Sequence, residues 1–202
     1  KLIEYTFKAA LGSKLIDKII LTTNCKKVIK LSKTYRKIEL LIRPEKLCKD
    51  NSSIFDVIKH TIQSEKKKFN FYDFIVLLQP TTPLKNSIII DSGIRKIHKE
   101  RGTSLVSVYE VDDNHPARMY KLKNKQLIPL SKNYQQENRQ NLKKIFHRDG
   151  NLYIFKNSNF LKKNKNFYGD KIIPLILPRK FKLNIDNYLD VELAKLLIKK
   201  WS

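Results

Sequence analysis

The chain has 202 residues and a formal charge of +23, from 42 Lys and Arg against 19 Asp and Glu, with 41% hydrophobic residues. That apolar share suffices for a core and excludes a disordered chain, while only five Gly and seven Pro exclude collagen-like and low-complexity sequence. Cys25 and Cys48 cannot form a disulfide framework and no apolar run approaches the ~20 residues that span a bilayer, so one soluble domain (1–202) in the reducing cytoplasm, with no membrane partner, is expected.

Of the 42 basic residues, 34 are Lys spread along the whole chain, with short clusters at 66–68 and 162–165. No basic stripe interleaved with aromatics stands out, so the charge reads as solvated surface and nucleic acid is not the expected partner. A preference for anionic small molecules fits either reading.

In chain order, Leu2, Ile3, Thr6, Ala9 and Ala10 recur at helical spacing before Gly12, and KIILT (18–22) reads as a short buried strand. Val28, Ile29 and Leu31 mark a second helix, and IELLI (38–42) a strand ending at Arg43-Pro44. The polar run 50–53 offers caps to a helix carrying Ile54, Val57, Ile58 and Ile62, after which FIVLL (74–78) predicts a buried central strand. A helix over 88–98 and a strand over 104–111 follow. Strands alternating with such helices predict an α/β fold with a doubly wound, mainly parallel sheet. Residues 112–150 break the alternation with a polar, hairpin-like extension, before strands at 151–155 and 172–176 and an amphipathic helix from 187 to 200.

No HExxH, CxxC, GxSxG or Walker loop is present, which weakens zinc protease, redox, hydrolase and P-loop chemistry together. Cys25, Cys48, His60 and His98 read as ordinary residues, while His115 stands out by preceding Pro116 in a loop. The strongest local signal is LLQPTTPLK (77–85). A strand running into a proline-stiffened loop puts Gln79, Thr81 and Thr82 where open α/β sheets bind ligands, and an amide with two hydroxyls suits a hydroxylated substrate. The same residues read equally well as a turn shaped by Pro80 and Pro83.

At these residues the sequence resembles the acylneuraminate cytidylyltransferases, which activate sialic acid and related nine-carbon keto sugars as CMP conjugates. The resemblance is collinear: KLIEYTFKAAL, IILTTN, RPEKLCKDNSSIFDVIKH, LLQPTTPLK, SVYEVDDNHPARMYKL, RQNLKKIFHRDGNLYIF and LNIDNYLDVELAKLLI each match a family segment in order. It implies a Rossmann-like nucleotidyltransferase fold in which 112–150 is a dimerisation extension, and a homodimer. It also implies attack of the sugar's anomeric hydroxyl on the α-phosphate of CTP, with Mg²⁺ or another divalent cation neutralising the phosphates, in a pathway feeding capsule, lipopolysaccharide or flagellin glycosylation. Carried over by position, Arg43 and Ser53 would face the nucleotide, Gln79 would meet an acidic keto sugar, and Arg118, Arg139 and Arg148 would meet the sugar carboxylate or the phosphates. Asp186 and Asn184 would hold the metal; read without the resemblance, Asp186 is the cap of the last helix.

The sequence departs from the family in three places. It begins after the family's first strand and phosphate-cradling loop, so the natural polypeptide is expected to be longer by on the order of 20 residues, and an unpaired sheet edge is expected here. The family's Asp-Ile-Asp is Asn184-Ile185-Asp186, and its Ser-Thr-Asp is Thr22-Thr23-Asn24. Each Asn keeps an oxygen but loses a negative charge. Two further readings stand beside the enzyme: a non-catalytic binding or assembly module of the same fold, and a nucleic-acid binder driven by charge.

Overall fold

The computed structural model describes residues 1–49, 51–69, 71–131, 141–161 and 166–199. Helix α1 (Leu2–Leu11) buries Phe7, Ala9 and Ala10 and leads to β1 (Ile19–Thr23), α2 (Lys26–Ser32) and β2 (Ile38–Ile42). Strands β1 and β2 pair in parallel from Ile19↔Ile38 to Thr23↔Ile42, a βαβ unit forming a two-stranded sheet of its own.

After α3 (Ile54–Lys67) come β3 (Phe74–Leu77), α4 (Ser87–Glu100) and β4 (Ser104–Glu110). The hairpin β5 (Tyr120–Lys123) and β6 (Gln126–Pro129) follows, then β7 (Phe146–Lys156), β8 (Ile172–Ile176) and α5 (Tyr188–Lys199). A four-stranded sheet has the order β3-β7-β4-β8. Strands β3, β4 and β8 run one way and β7, between β3 and β4, runs against them, so two of the three pairings are antiparallel and the sheet is mixed.

The expectation of a central 74–78 strand is corrected: β3 pairs only with β7 and lies at the edge of this sheet, half-buried along its length. A continuous apolar run reports burial of both faces but says nothing about which strands flank it. The middle belongs to β4 and β7. Side chains alternate along β7, with Leu152 and Ile154 joining Ile90 and Ile97 of α4 on one face and Phe155 joining Ile58 and Ile62 of α3 on the other. Helices cover both faces. Helix α4 sits so close that a Cβ built on Gly93 would lie 2.5 Å from Leu152 Cδ2.

Strand β7 begins five residues earlier than expected, because its first residues are polar and exposed. The hairpin turns on Asn124 and Lys125, both at positive φ, as a two-residue type I′ loop requires. Its Leu122 and Leu127 form a cross-strand pair, 74% and 68% exposed. No helix among the described residues is long and apolar enough to cross a membrane.

Candidate active site

Beyond the carboxyl ends of β3 and β4 opens a cavity of about 620 Å³. Three segments of chain build its polar side: Gln79 after β3, residues 148–150 at the start of β7, and residues 182–186 ahead of α5. Phe55, Tyr153, Phe155 and Tyr168 build its apolar side, with Phe55 T-shaped against Phe155 and Tyr168.

The first cause of this shape is an irregularity between β4 and β7. Val106 pairs with Tyr153 and Val108 with Arg148, so four residues of β7 face the single residue Ser107. Such a bulge removes ladder hydrogen bonds, and side chains replace them. Ser107 Oγ accepts the Leu152 N–H at 2.8 Å and donates to Asp149 Oδ1, which also accepts the Asn151 N–H at 2.9 Å. Asp149 is buried and its Oδ2 has no hydrogen-bond partner among the described residues. Gly150 makes the bend at φ +79°, a left-handed conformation that disfavours any side chain, and a Cβ there would stand 3.1 Å from Thr82 Cγ2.

The 79–85 loop is the second wall. Thr82 is fully buried, and its hydroxyl lies 3.0 Å from Gly150 O and 3.2 Å from Gln79 O. Lys85 is buried beneath the turn and donates to Gln79 O at 2.6 Å, to Thr82 Oγ1 at 2.8 Å and to Thr82 O. The third wall is tied to the other two, since Ile185 N–H donates to Thr81 O at 2.8 Å and Asn151 Nδ2 donates to Phe181 O at 3.1 Å.

Expected site residues divide accordingly. Gln79, Arg148, Asn184 and Asp186 line the cavity together. Arg148 Nη1 donates to the Tyr168 hydroxyl at 2.8 Å, which aims the guanidinium along the aromatic wall. Thr81 and Thr82 serve the loop through their backbone and hydroxyl contacts and do not line the cavity. Arg43 lies on the two-stranded sheet, donating to Thr22 O at 2.7 Å. Ser53 caps α3, accepting the Phe55 N–H at 3.3 Å, one residue from the cavity-lining Ile54. Arg118 is exposed at the end of the Pro116–Arg118 turn and pairs with Asp113 at 2.9 Å, away from the cavity in this single chain. Arg139 lies outside the described residues.

Asp186 is not the cap of α5. Asn187 Oδ1 accepts the Asp190 N–H at 3.1 Å while Asp190 Oδ2 accepts the Asn187 and Asp186 N–H groups, a reciprocal cap that leaves the Asp186 carboxylate to receive Asn184 Nδ2 at 2.6 Å. Asn184 and Asp186 are the residues that could hold a divalent cation. One carboxylate and one amide oxygen fit a hard ion that keeps waters and takes most of its ligands from phosphates. No group of three or more His, Cys, Asp or Glu is arranged for a metal among the described residues.

His115 is a structural residue: buried, it accepts the Ala117 N–H on Nδ1 at 3.1 Å, so Nε2 carries the proton it donates to Lys143 O at 3.0 Å. Sequence reasoning overlooked Lys182, stacked 4.5 Å from the Tyr109 ring at the cavity, together with Tyr168, Asp149 and Lys85. The Asp149-Gly150 pair, a turn signal inside a strand, was the available sign of the bulge in β7.

A model of the cytidylyltransferase family matches residues 1–188, nearly the whole chain. The chain belongs to this family. It is 29% identical over 196 residues to the N-acylneuraminate cytidylyltransferase of Escherichia coli, covering 96% of this chain and 45% of that protein, so it spans less than half of that relative's length. The pseudaminic acid cytidylyltransferase of Campylobacter jejuni is 25% identical over 98% of this chain and 85% of its own. The CMP-N,N'-diacetyllegionaminic acid synthase of Legionella pneumophila is 27% identical over 98% and 84%. Among solved structures, CMP:2-keto-3-deoxy-manno-octonic acid synthetase complexed with CTP aligns with a TM-score of 0.69 over 98% of this chain and 88% of that one. At 11% identity that likeness shows the fold, an α/β nucleotidyltransferase.

Proposed function

We propose that this chain carries the active site of a CTP-dependent cytidylyltransferase that converts an acidic nine-carbon keto sugar, of the sialic, legionaminic or pseudaminic type, into its CMP conjugate. The observation that supports it most is the convergence of Gln79, Arg148 and Asp186 on one cavity with an aromatic wall. In the reaction the anomeric hydroxyl oxygen bonds to the α-phosphorus, the bond from that phosphorus to the β-phosphate bridge breaks, and pyrophosphate leaves as the hydroxyl proton passes to solvent. Such chemistry needs positioning and charge neutralisation rather than a protein nucleophile. Arg148 and Lys182 supply cationic side chains, Gln79 an amide for sugar hydroxyls, and the wall of Phe55, Tyr153 and Tyr168 a surface that excludes water. A divalent cation such as Mg²⁺, held by Asp186 and Asn184, would add neutralisation of phosphate charge.

The deciding experiment is pyrophosphate release by the full natural polypeptide with CTP and a panel of nine-carbon keto acids. Release with one of them is expected, and release with none overturns the reading. In the active protein Arg148→Ala should raise the KM for the sugar by about 10-fold or more, the loss of one charge-assisted hydrogen bond. The amide at Asn184 in place of a second carboxylate favours a second reading, a binding module without catalysis. Calorimetry separates the two, because that module would show no Mg²⁺-dependent CTP binding. A homodimer through the 112–150 extension also belongs to this proposal. The exposed Leu122–Leu127 pair supports it, and replacing both leucines by Asp should leave a monomer in sedimentation equilibrium.

A further inference from the structure

Lys85 is 4% exposed and forms no ion pair among the described residues, an unusual setting for a lysine in a loop. Burying an ammonium ion is costly unless every N–H finds an acceptor. Here all of its acceptors lie on one turn, Gln79 O, Thr82 O and Thr82 Oγ1. Because Thr82 Oγ1 accepts from Lys85, its own proton is free to reach Gly150 O at 3.0 Å, giving a polarised chain from ammonium to hydroxyl to the bulged strand β7. Gln79 stands at one end of that chain, and Arg148 and Asp149 flank the other.

We propose that Lys85 is a positioning residue for the cavity, its ammonium ion holding the wall that carries Gln79 and the wall that carries Arg148 in one register through Thr82. The coupling is proton-linked. A neutral amine has two N–H bonds for three acceptors, so loss of the proton releases one arm of the turn. Burial pushes the Lys85 ammonium down to about 7, with the charge of Asp149 opposing the shift. Asp149 is the charged group that faces Lys85 from β7.

The test is nuclear magnetic resonance of the full polypeptide with labelled lysine, titrated from about pH 5 to about pH 9, well below the ordinary lysine range. The Lys85 Cε resonance and the Gln79, Thr82 and Gly150 amides should share one inflection, and the amides should lose it in Lys85→Arg, whose charge does not titrate. Amides that stay flat while Lys85 titrates, a Lys85 Cε resonance that stays flat over the whole range, or an unchanged amide inflection in Lys85→Arg each overturn the proposal. This readout needs no substrate, so it stands or falls apart from the proposed function. A kinetic arm rests on that function: Lys85→Met should raise the KM for the sugar acid roughly 10-fold with the KM for CTP within about 2-fold, and Lys85→Arg should restore it. Equal rises in both KM values, or no rescue by Arg, would mark a merely structural lysine.

Discussion

The two sheets are held by different forces. In the four-stranded sheet, Leu105, Leu152 and Ile154 are fully buried against Ile90 and Ile97 of α4, an apolar contact. In the two-stranded sheet every residue of β1 is only half-buried, and the attachment to α3 is ionic. Lys18 reaches both Glu39 of β2 and Glu65 of α3 at 2.7 Å, and Lys68 bonds the same two carboxylates. Those bonds hold Glu39 below the usual carboxylate range, Lys18 contributing most, and raise Lys18 and Lys68. Apolar packing has no charge to titrate or to screen, whereas a charge lattice answers to both pH and ionic strength. The region carrying Arg43 is therefore tied down by ion pairs, and the region carrying the cavity by apolar packing, apart from the turn that Lys85 holds.

That contrast breaks or sharpens under substitution. The largest effect is expected in the apolar block, where Ile154→Ala should cost about 2–5 kcal/mol in urea unfolding, from lost transfer energy plus a cavity. Gly93→Ala should follow at about 1–3 kcal/mol, because the added methyl meets Leu152 and outweighs the helical preference of Ala. Glu65→Gln should cost about 1–2 kcal/mol, as Lys18 and Lys68 keep Glu39. Its signature is local: faster hydrogen exchange in β1 and β2 with protection in β4 and β7 unchanged. A parallel loosening of β4 would abolish the distinction between the sheets. Acid should mimic this variant. With its folded pKa depressed, Glu39 contributes fully above the ordinary carboxylate value and loses that contribution as pH falls through the folded one. The smallest effect belongs to the exposed helical pair Lys195–Glu192, where Lys195→Ala should leave the urea unfolding midpoint unchanged.

Much of this architecture was legible in the sequence, since IELLI and IIPLI bracket strands whose bounds match the structure at 38–42 and 172–176. What escaped was pairing. An edge strand and a central one share the same apolar text, so FIVLL could not declare its neighbours, and the polar FHRDG stretch concealed the first half of β7. The candidate site was half legible for the same reason. Gln79 stands out by local context and Asp186 through the family resemblance, whereas Lys85 is one of 34 lysines and becomes singular only in its contacts with the turn. Thr82 shows the converse, a hydroxyl that looked like a ligand contact and serves as a rivet between two loops.

The reciprocal cap at Asn187 and Asp190 reaches further than the end of a helix. Since Asp190 also grips the backbone of Asp186, winding of α5 and aim of the Asp186 carboxylate are a single event. A change that frays this helix would therefore also turn the Asp186 carboxylate away from the cavity it lines.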